Sequence, residues 1–143
     1  MTEAPAHSTN DWQFDHLTLL AAPGDTGVCG LAALLGLEPG RRPAFPFGGN
    51  WFYQDETPLL HVIDAAVNGG ATFDHLAFRS HRPLDTVLPA VTASGLPYRV
   101  MRIPETDTAQ IFVQIAEKFV VELDVPVGTA GSTAADYSPP QPE

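Results

Sequence analysis

The chain repeats itself. Phe14-Asp15-His16-Leu17 and Phe73-Asp74-His75-Leu76 are one tetrapeptide recurring 59 positions apart, and each opens a run with strand character. Gly36-Leu37 and Gly95-Leu96 keep the same offset, so the interval from histidine to glycine is 20 residues in both halves. Two features in one register define an internal duplication. A duplicated chain folds as two related units, and the repeated histidines then occupy equivalent places in them.

Hydrophobic periodicity fills in each unit. Phe14–Ala21 alternates as a strand, and Asp25 or Thr26 can cap a helix that runs to Leu35, where Gly36 supplies a left-handed stop. Val28, Leu31, Leu34 and Leu35 form the apolar face of that helix, with Cys29 facing the core as inert packing. Pro39–Gly49 suits a short edge strand and a loop, and Trp51-Phe52-Tyr53 and Leu59–Ile63 read as two strands joined by a polar turn. After a linker, Asp64–Thr72, the plan returns. Phe73–Arg79 is a strand and Leu84–Ser94 a helix ended by Gly95, with Pro89 inside it expected to kink it or delay its start. Tyr98–Ile103, Gln110–Ile115 and Lys118–Val125 supply three more strands.

The expected fold is therefore α+β: two tandem βαβββ modules, about 12–64 and about 72–126, that form a cupped mixed sheet with helices on its outer face. Residues 1–11 and 127–143 are small, polar or proline-rich and read as flexible tails, the first containing His7. Leu17, Leu19, Leu60, Val62, Leu76 and Phe78 form an apolar sheet face suited to lie under the helices, as do Val121, Leu123 and Val125. The opposite face carries His16, His61, His75 and Glu122, with Phe14, Phe73 and Ala77 among its neighbours. Histidines and a carboxylate among hydrophobes line a pocket.

Duplication also pairs these residues. His16 precedes His61 by 45 residues and His75 precedes Glu122 by 47, so His61 and Glu122 fall at corresponding places in the two modules. Imidazole and carboxylate are ordinary ligands of Fe(II), Mn(II), Zn(II) and Ni(II), and two histidines with one carboxylate suit non-haem iron. The alternatives are histidines that only pack or hydrogen-bond in the core, and a Glu122 that pairs with Arg79 or Arg99. Trp51, Tyr53, Tyr98 and Gln110 are candidates for the pocket wall, and Arg79, on the His75 face, for an anion clamp. His81 lies beyond its strand and is expected in solvent.

Charge and cysteine content narrow the class of function. Of 143 residues, 17 are Asp or Glu against 7 Lys or Arg, a net charge of −10, and the cations are spread along the sequence. Such a surface repels phosphate backbones and anionic lipid, which disfavours nucleic-acid and membrane partners. One cysteine forms no intrachain disulfide, and with no signal peptide or long apolar span a cytoplasmic protein is expected.

The chain resembles the vicinal oxygen chelate superfamily, which includes glyoxalase I, extradiol dioxygenases and bleomycin-resistance proteins. The resemblance runs from about Phe14 to Val125. It rests on both Phe-Asp-His-Leu motifs, on Leu35-Gly36-Leu37-Glu38-Pro39, on Pro58-Leu59-Leu60-His61-Val62, on Gly95-Leu96-Pro97-Tyr98 and on Val121-Glu122-Leu123. One departure is Ile115-Ala116-Glu117-Lys118, where many members carry an Asp-Pro-Asn-Gly type of turn.

The resemblance implies a divalent metal, Fe2+ or Mn2+ favoured with Zn2+ or Ni2+ possible, held by His16, His75 and Glu122. His61 would be a fourth ligand or a catalytic acid-base group. It implies a dioxygenase-type oxidoreductase whose small substrate chelates the metal through adjacent oxygens, in a homodimer with a shared active site. A glyoxalase-like lyase or isomerase, and a metal-free small-molecule-binding protein, are the alternatives.

Overall fold

The computed structural model describes residues 11–128; the rest of both terminal segments, His7 included, lies outside the described residues. Ten elements follow one another: β1 (Gln13–Ala21), α1 (Thr26–Leu35), β2 (Glu38–Gly40), β3 (Gly49–Gln54), β4 (Thr57–Asp64), β5 (Thr72–Arg79), α2 (Leu84–Ala93), β6 (Tyr98–Arg102), β7 (Thr108–Ala116) and β8 (Phe119–Pro126). Each half is βαβββ.

The strands form one open, mixed sheet in the order β2-β3-β4-β1-β5-β8-β7-β6. Read outward from the centre, each module contributes its first strand, then its last, then the two between. The first and last strands pair in parallel in both modules, and the modules meet through the antiparallel β1–β5 pair. That topology places all four candidate ligands on the central strands β4, β1, β5 and β8.

Local chemistry fixes the helices. The Asp25 side chain accepts the Val28 N–H at 3.0 Å to cap α1. Gly36, at φ 69°, ends it with the Leu37 N–H bonded back to the Ala32 carbonyl at 2.8 Å. The helix buries Val28 and Ala32, with Leu31 packed against them, whereas Leu34 and Leu35 are exposed and so is Cys29. The broader apolar face expected from the sequence, and the inward Cys29, are both corrected: the contact stripe is a narrow one centred on Val28 and Ala32. In the second helix, Leu84, Val87 and Val91 are buried and Leu88 packs against them. Pro89 does not delay its start, and it lies on the exposed side, where solvent can satisfy the carbonyl that lacks its usual donor.

Each module has its own apolar cluster between helix and sheet. Leu60, Val62 and Leu37 join α1 in the first; Val100, Ile111, Val113 and Val125 join α2 in the second. Ordered contacts reach slightly beyond the boundaries read from the sequence. Asp11 takes the Ser80 hydroxyl at 2.9 Å and the Arg82 Nε at 3.1 Å, and Val127 is buried in the second cluster.

A pair of irregularities shapes the centre. The β1–β5 register breaks between Phe14 and His16, and between Thr18 and Leu19, which leaves Asp15 and Asp74 without a direct cross-strand partner. A bulge reverses the side-chain alternation on its far side. Phe14 therefore lies opposite Phe78, their rings edge to face at 6.1 Å, and Phe73 lies opposite Leu19. Strict alternation put both phenylalanines on the histidine face. The bulges turn them to the other one.

Candidate metal centre

His16, His75 and Glu122 come together on neighbouring strands, all three buried. One donor atom from each lies within 4.8 Å of the other two. The Glu122 Oε1 atom stands 2.8 Å from His75 Nε2 and 3.7 Å from His16 Nε2. Ala77, fully buried, faces His16 on one side and Glu122 on the other, and its single methyl leaves the space between them open.

The opposite nitrogen of each ring is held as well. His16 Nδ1 meets Asp15 Oδ2 at 2.7 Å, and His75 Nδ1 meets Asp74 Oδ2 at 2.6 Å. The two aspartates are the bulged residues, so the break in the ladder is what turns each carboxylate toward the adjacent imidazole. This carboxylate–imidazole arrangement sets the tautomer that leaves Nε2 as the ligand atom. The repeat itself carries this pairing, since Asp precedes His in both copies.

Electrostatics agree with a place made for a cation. Burial would lower the His75 pKa, but the hydrogen bonds to Asp74 and Glu122 outweigh it and raise it to about 9. The same balance, with Asp15 and Glu122 as partners, raises His16. Burial would raise Glu122, yet contact with the two imidazoles holds it well below the usual carboxylate range. Carboxylates at both nitrogens of His75 demand a proton on each, and a divalent metal satisfies Glu122 and Nε2 together in place of one of them. The donor set fits such an ion.

Further groups support Glu122. Gln110 donates its side-chain amide to Glu122 Oε2 at 3.1 Å, so it reaches the site through the carboxylate. Asp124 follows on the same face of β8, and burial with the nearby Glu122 charge pushes its pKa up to about 11, so it stays neutral beside that carboxylate. Asp124 is not among the residues expected from the sequence, although alternation along β8 places it beside Glu122. Neither Arg79 nor Arg99 pairs with Glu122.

His61 belongs to the same pocket but not to the same set of donors. Its ring stacks on His16 with centroids 3.5 Å apart and planes 13° apart, and Trp51 stacks at 3.9 Å. Nitrogen lone pairs lie in the ring plane, and parallel planes do not converge on one atom. His61 Nε2 also donates to the Pro58 carbonyl at 3.0 Å. Burial and the neighbouring His16 depress its pKa to about 2, so the ring is neutral and Nδ1 carries the lone pair.

A cavity of about 400 Å³ opens onto these groups. Trp51 and Gln110 line it as expected, with Phe45, Phe47 and Phe112. Three expected wall residues lie elsewhere. The Tyr53 hydroxyl donates to the Arg41 carbonyl, Tyr98 meets Thr92 at 3.1 Å, and Arg79 is exposed, bonded to the Phe14 carbonyl and Asp15. The cations that do line the cavity are Arg42, Arg99 and Arg102. Arg42 comes from the β2–β3 loop and Arg99 and Arg102 from β6, at opposite edges of the sheet, and all three line the one cavity.

No protein-family model and no curated protein matches the chain. Solved structures do match in fold. Methylmalonyl-CoA epimerase from Mycobacterium tuberculosis matches over 80% of this chain and 88% of its own, with a TM-score of 0.58 and 14% identity. The 2,3-dioxygenase LapB from Pseudomonas sp. KL28 matches over 90% of this chain and 46% of its own, at TM-score 0.60 and 16% identity. The halotolerant catechol dioxygenase BphC matches over 89% and 42%, at 0.54 and 14%. The chain thus spans less than half the length of either dioxygenase. The chain shares the fold of these three structures. Among the described residues, no helix is long and apolar enough to cross a membrane.

Proposed function

We propose that this chain is a divalent-metal-dependent enzyme of vicinal oxygen chelate type, with His16, His75 and Glu122 as the metal ligands. The observation that carries the reading is the convergence of the two Nε2 atoms on Glu122 while Asp15 and Asp74 hold both Nδ1 atoms. The favoured reaction is of dioxygenase type, on a small substrate that offers two adjacent oxygens, and Fe2+ or Mn2+ suits two imidazoles and a carboxylate.

A bound ion of this kind supplies Lewis acidity and open coordination positions. The protein does the rest. Asp15 and Asp74 fix the imidazoles, Gln110 and Asp124 steady the carboxylate, and Trp51, Phe45, Phe47 and Phe112 exclude water around the substrate. Neutral His61, with Nδ1 as an acceptor, would orient a substrate hydroxyl by a hydrogen bond rather than take its proton.

An epimerase or glyoxalase-like reading is favoured by size alone, since the epimerase match covers 88% of that enzyme. Its chemistry calls for a base beside the metal, and the last strand of the first module here holds His61, whose basicity burial suppresses. A metal-free protein that sequesters cationic compounds fits poorly with three arginines in the pocket. A homodimer with a shared active site is proposed as the assembly. Measuring dioxygen uptake with a catechol panel on Fe2+-loaded protein, against proton exchange at a carbon next to a carbonyl, separates the first two. Exchange without oxygen uptake would select the second.

A further inference from the structure

The charge of the cavity differs from the charge of the protein. Against 17 acidic residues the chain has 7 Lys and Arg, and three of those seven line this cavity. The acidic residues in its wall, Asp74 and Glu122, are both engaged by His75. Two of the arginines are also engaged. Arg42 donates to the Phe47 carbonyl at 2.9 Å and packs over Phe45 and Phe47, and Arg102 bonds the Thr106 carbonyl and Asp107. Arg99 differs: its guanidinium rests on the Phe112 ring at 4.9 Å, and among the described residues it has no carboxylate or carbonyl partner.

Register sets its distance from the triad. Arg99 pairs with Phe112, Phe112 with Glu122, and Glu122 with Ala77, so they form one row across β6, β7, β8 and β5. Arg99 is therefore two strand spacings from Glu122, roughly 10 Å. The Phe112 ring fills the interval on the wall, edge-on to His75 with centroids 5.8 Å apart. An aromatic-sized molecule spans the same interval within the cavity.

Building on the metal-site reading above, we propose that the substrate is a small planar anion. Its carboxylate, or a similar single negative group, lies opposite its chelating oxygens and is received by Arg99. A guanidinium with unfilled donors in a partly desolvated wall discriminates strongly for a bidentate oxyanion. Arg99 is then a specificity residue at the far end of the substrate.

The test is ligand binding, read by calorimetry and by tryptophan fluorescence, on metal-free and Mn2+-loaded protein. The probes are 3,4-dihydroxybenzoate, its methyl ester and catechol. In metal-free protein the acid should bind at least about tenfold tighter than the ester, as expected for a charge-assisted pair. Arg99→Gln should reduce that preference to within about twofold, Arg99→Lys should restore part of it, and Lys118→Gln, in an exposed turn, should leave it intact. Equal binding of acid and ester, no saturable binding of the acid, or a preference that survives Arg99→Gln would each overturn the proposal. Metal uptake is scored separately. An Arg99-dependent preference without metal uptake would retain the anion site and remove the metal enzyme, and uptake without the preference would do the reverse.

Discussion

His75 and Glu122, 47 residues apart in the chain, meet at 2.8 Å between Nε2 and Oε1, and Asp74 holds the other nitrogen of the same ring. A buried imidazole between two carboxylates is stable only when it carries a proton at each end or a metal at one. That choice makes the metal-free protein sensitive to pH in a defined direction.

In metal-free protein His75 should titrate near pH 9, while His61 stays neutral down to about pH 2. His75 has a folded-state pKa above its unfolded value of 6.5, so its contribution to stability is fully present below pH 6.5 and is lost as pH rises through 9. Histidine ring NMR titration and chemical denaturation from pH 6 to 10 check both statements. Glu122→Gln should flatten the alkaline loss. A His75 that titrates near 6.5 would remove the basis for it.

Asp74→Asn and Asp15→Asn should leave the protein folded and each weaken metal binding by about 10- to 100-fold, the usual effect of altering a hydrogen-bond partner of a ligand histidine. The amide oxygen still accepts from Nδ1 but no longer supplies charge. Competition with a chelator of known affinity measures the change, and unchanged affinity would make the two aspartates bystanders.

His61→Gln should keep the full metal content and reduce turnover. His61 stacks on His16 and is not one of the three clustered donors, so elemental analysis of the variant is decisive. Loss of the metal would make it the fourth ligand after all.

Ala77→Leu should abolish metal binding and lower stability by about 1–3 kcal/mol, the usual range for overpacking a closed interior. Ala77 is fully buried with His16 and Glu122 on either side, and a larger side chain must push them apart. Retained binding would show that the donors do not meet over Ala77.

The repeat and the period-two alternation made most of the fold legible: two βαβββ modules, their strand and helix order, and the three buried donors on one face. Alternation failed at Asp15 and Asp74, because a bulge adds a residue without marking the hydrophobic pattern. Phe14 and Phe73 were assigned to the wrong face for that reason, and the aspartates' contact with the histidines went unseen. Arg42, Arg99 and Arg102 were missed for a different one. Arg42 lies at one edge of the sheet and Arg99 and Arg102 at the other, and no local pattern encodes that both edges line one cavity. His61 shows the limit of the duplication argument, since equivalent backbone positions gave one side chain that joins the donors and one that stacks beside them.

The central claim is that His16, His75 and Glu122 hold one divalent ion. Metal titration of the chelator-treated protein, with stoichiometry read by elemental analysis, tests it directly. The wild-type chain should bind one Mn2+ or Fe2+ per chain with release of protons from the imidazoles, and Glu122→Ala should bind none. Absence of uptake by the folded wild type, or full stoichiometry in Glu122→Ala, would contradict it.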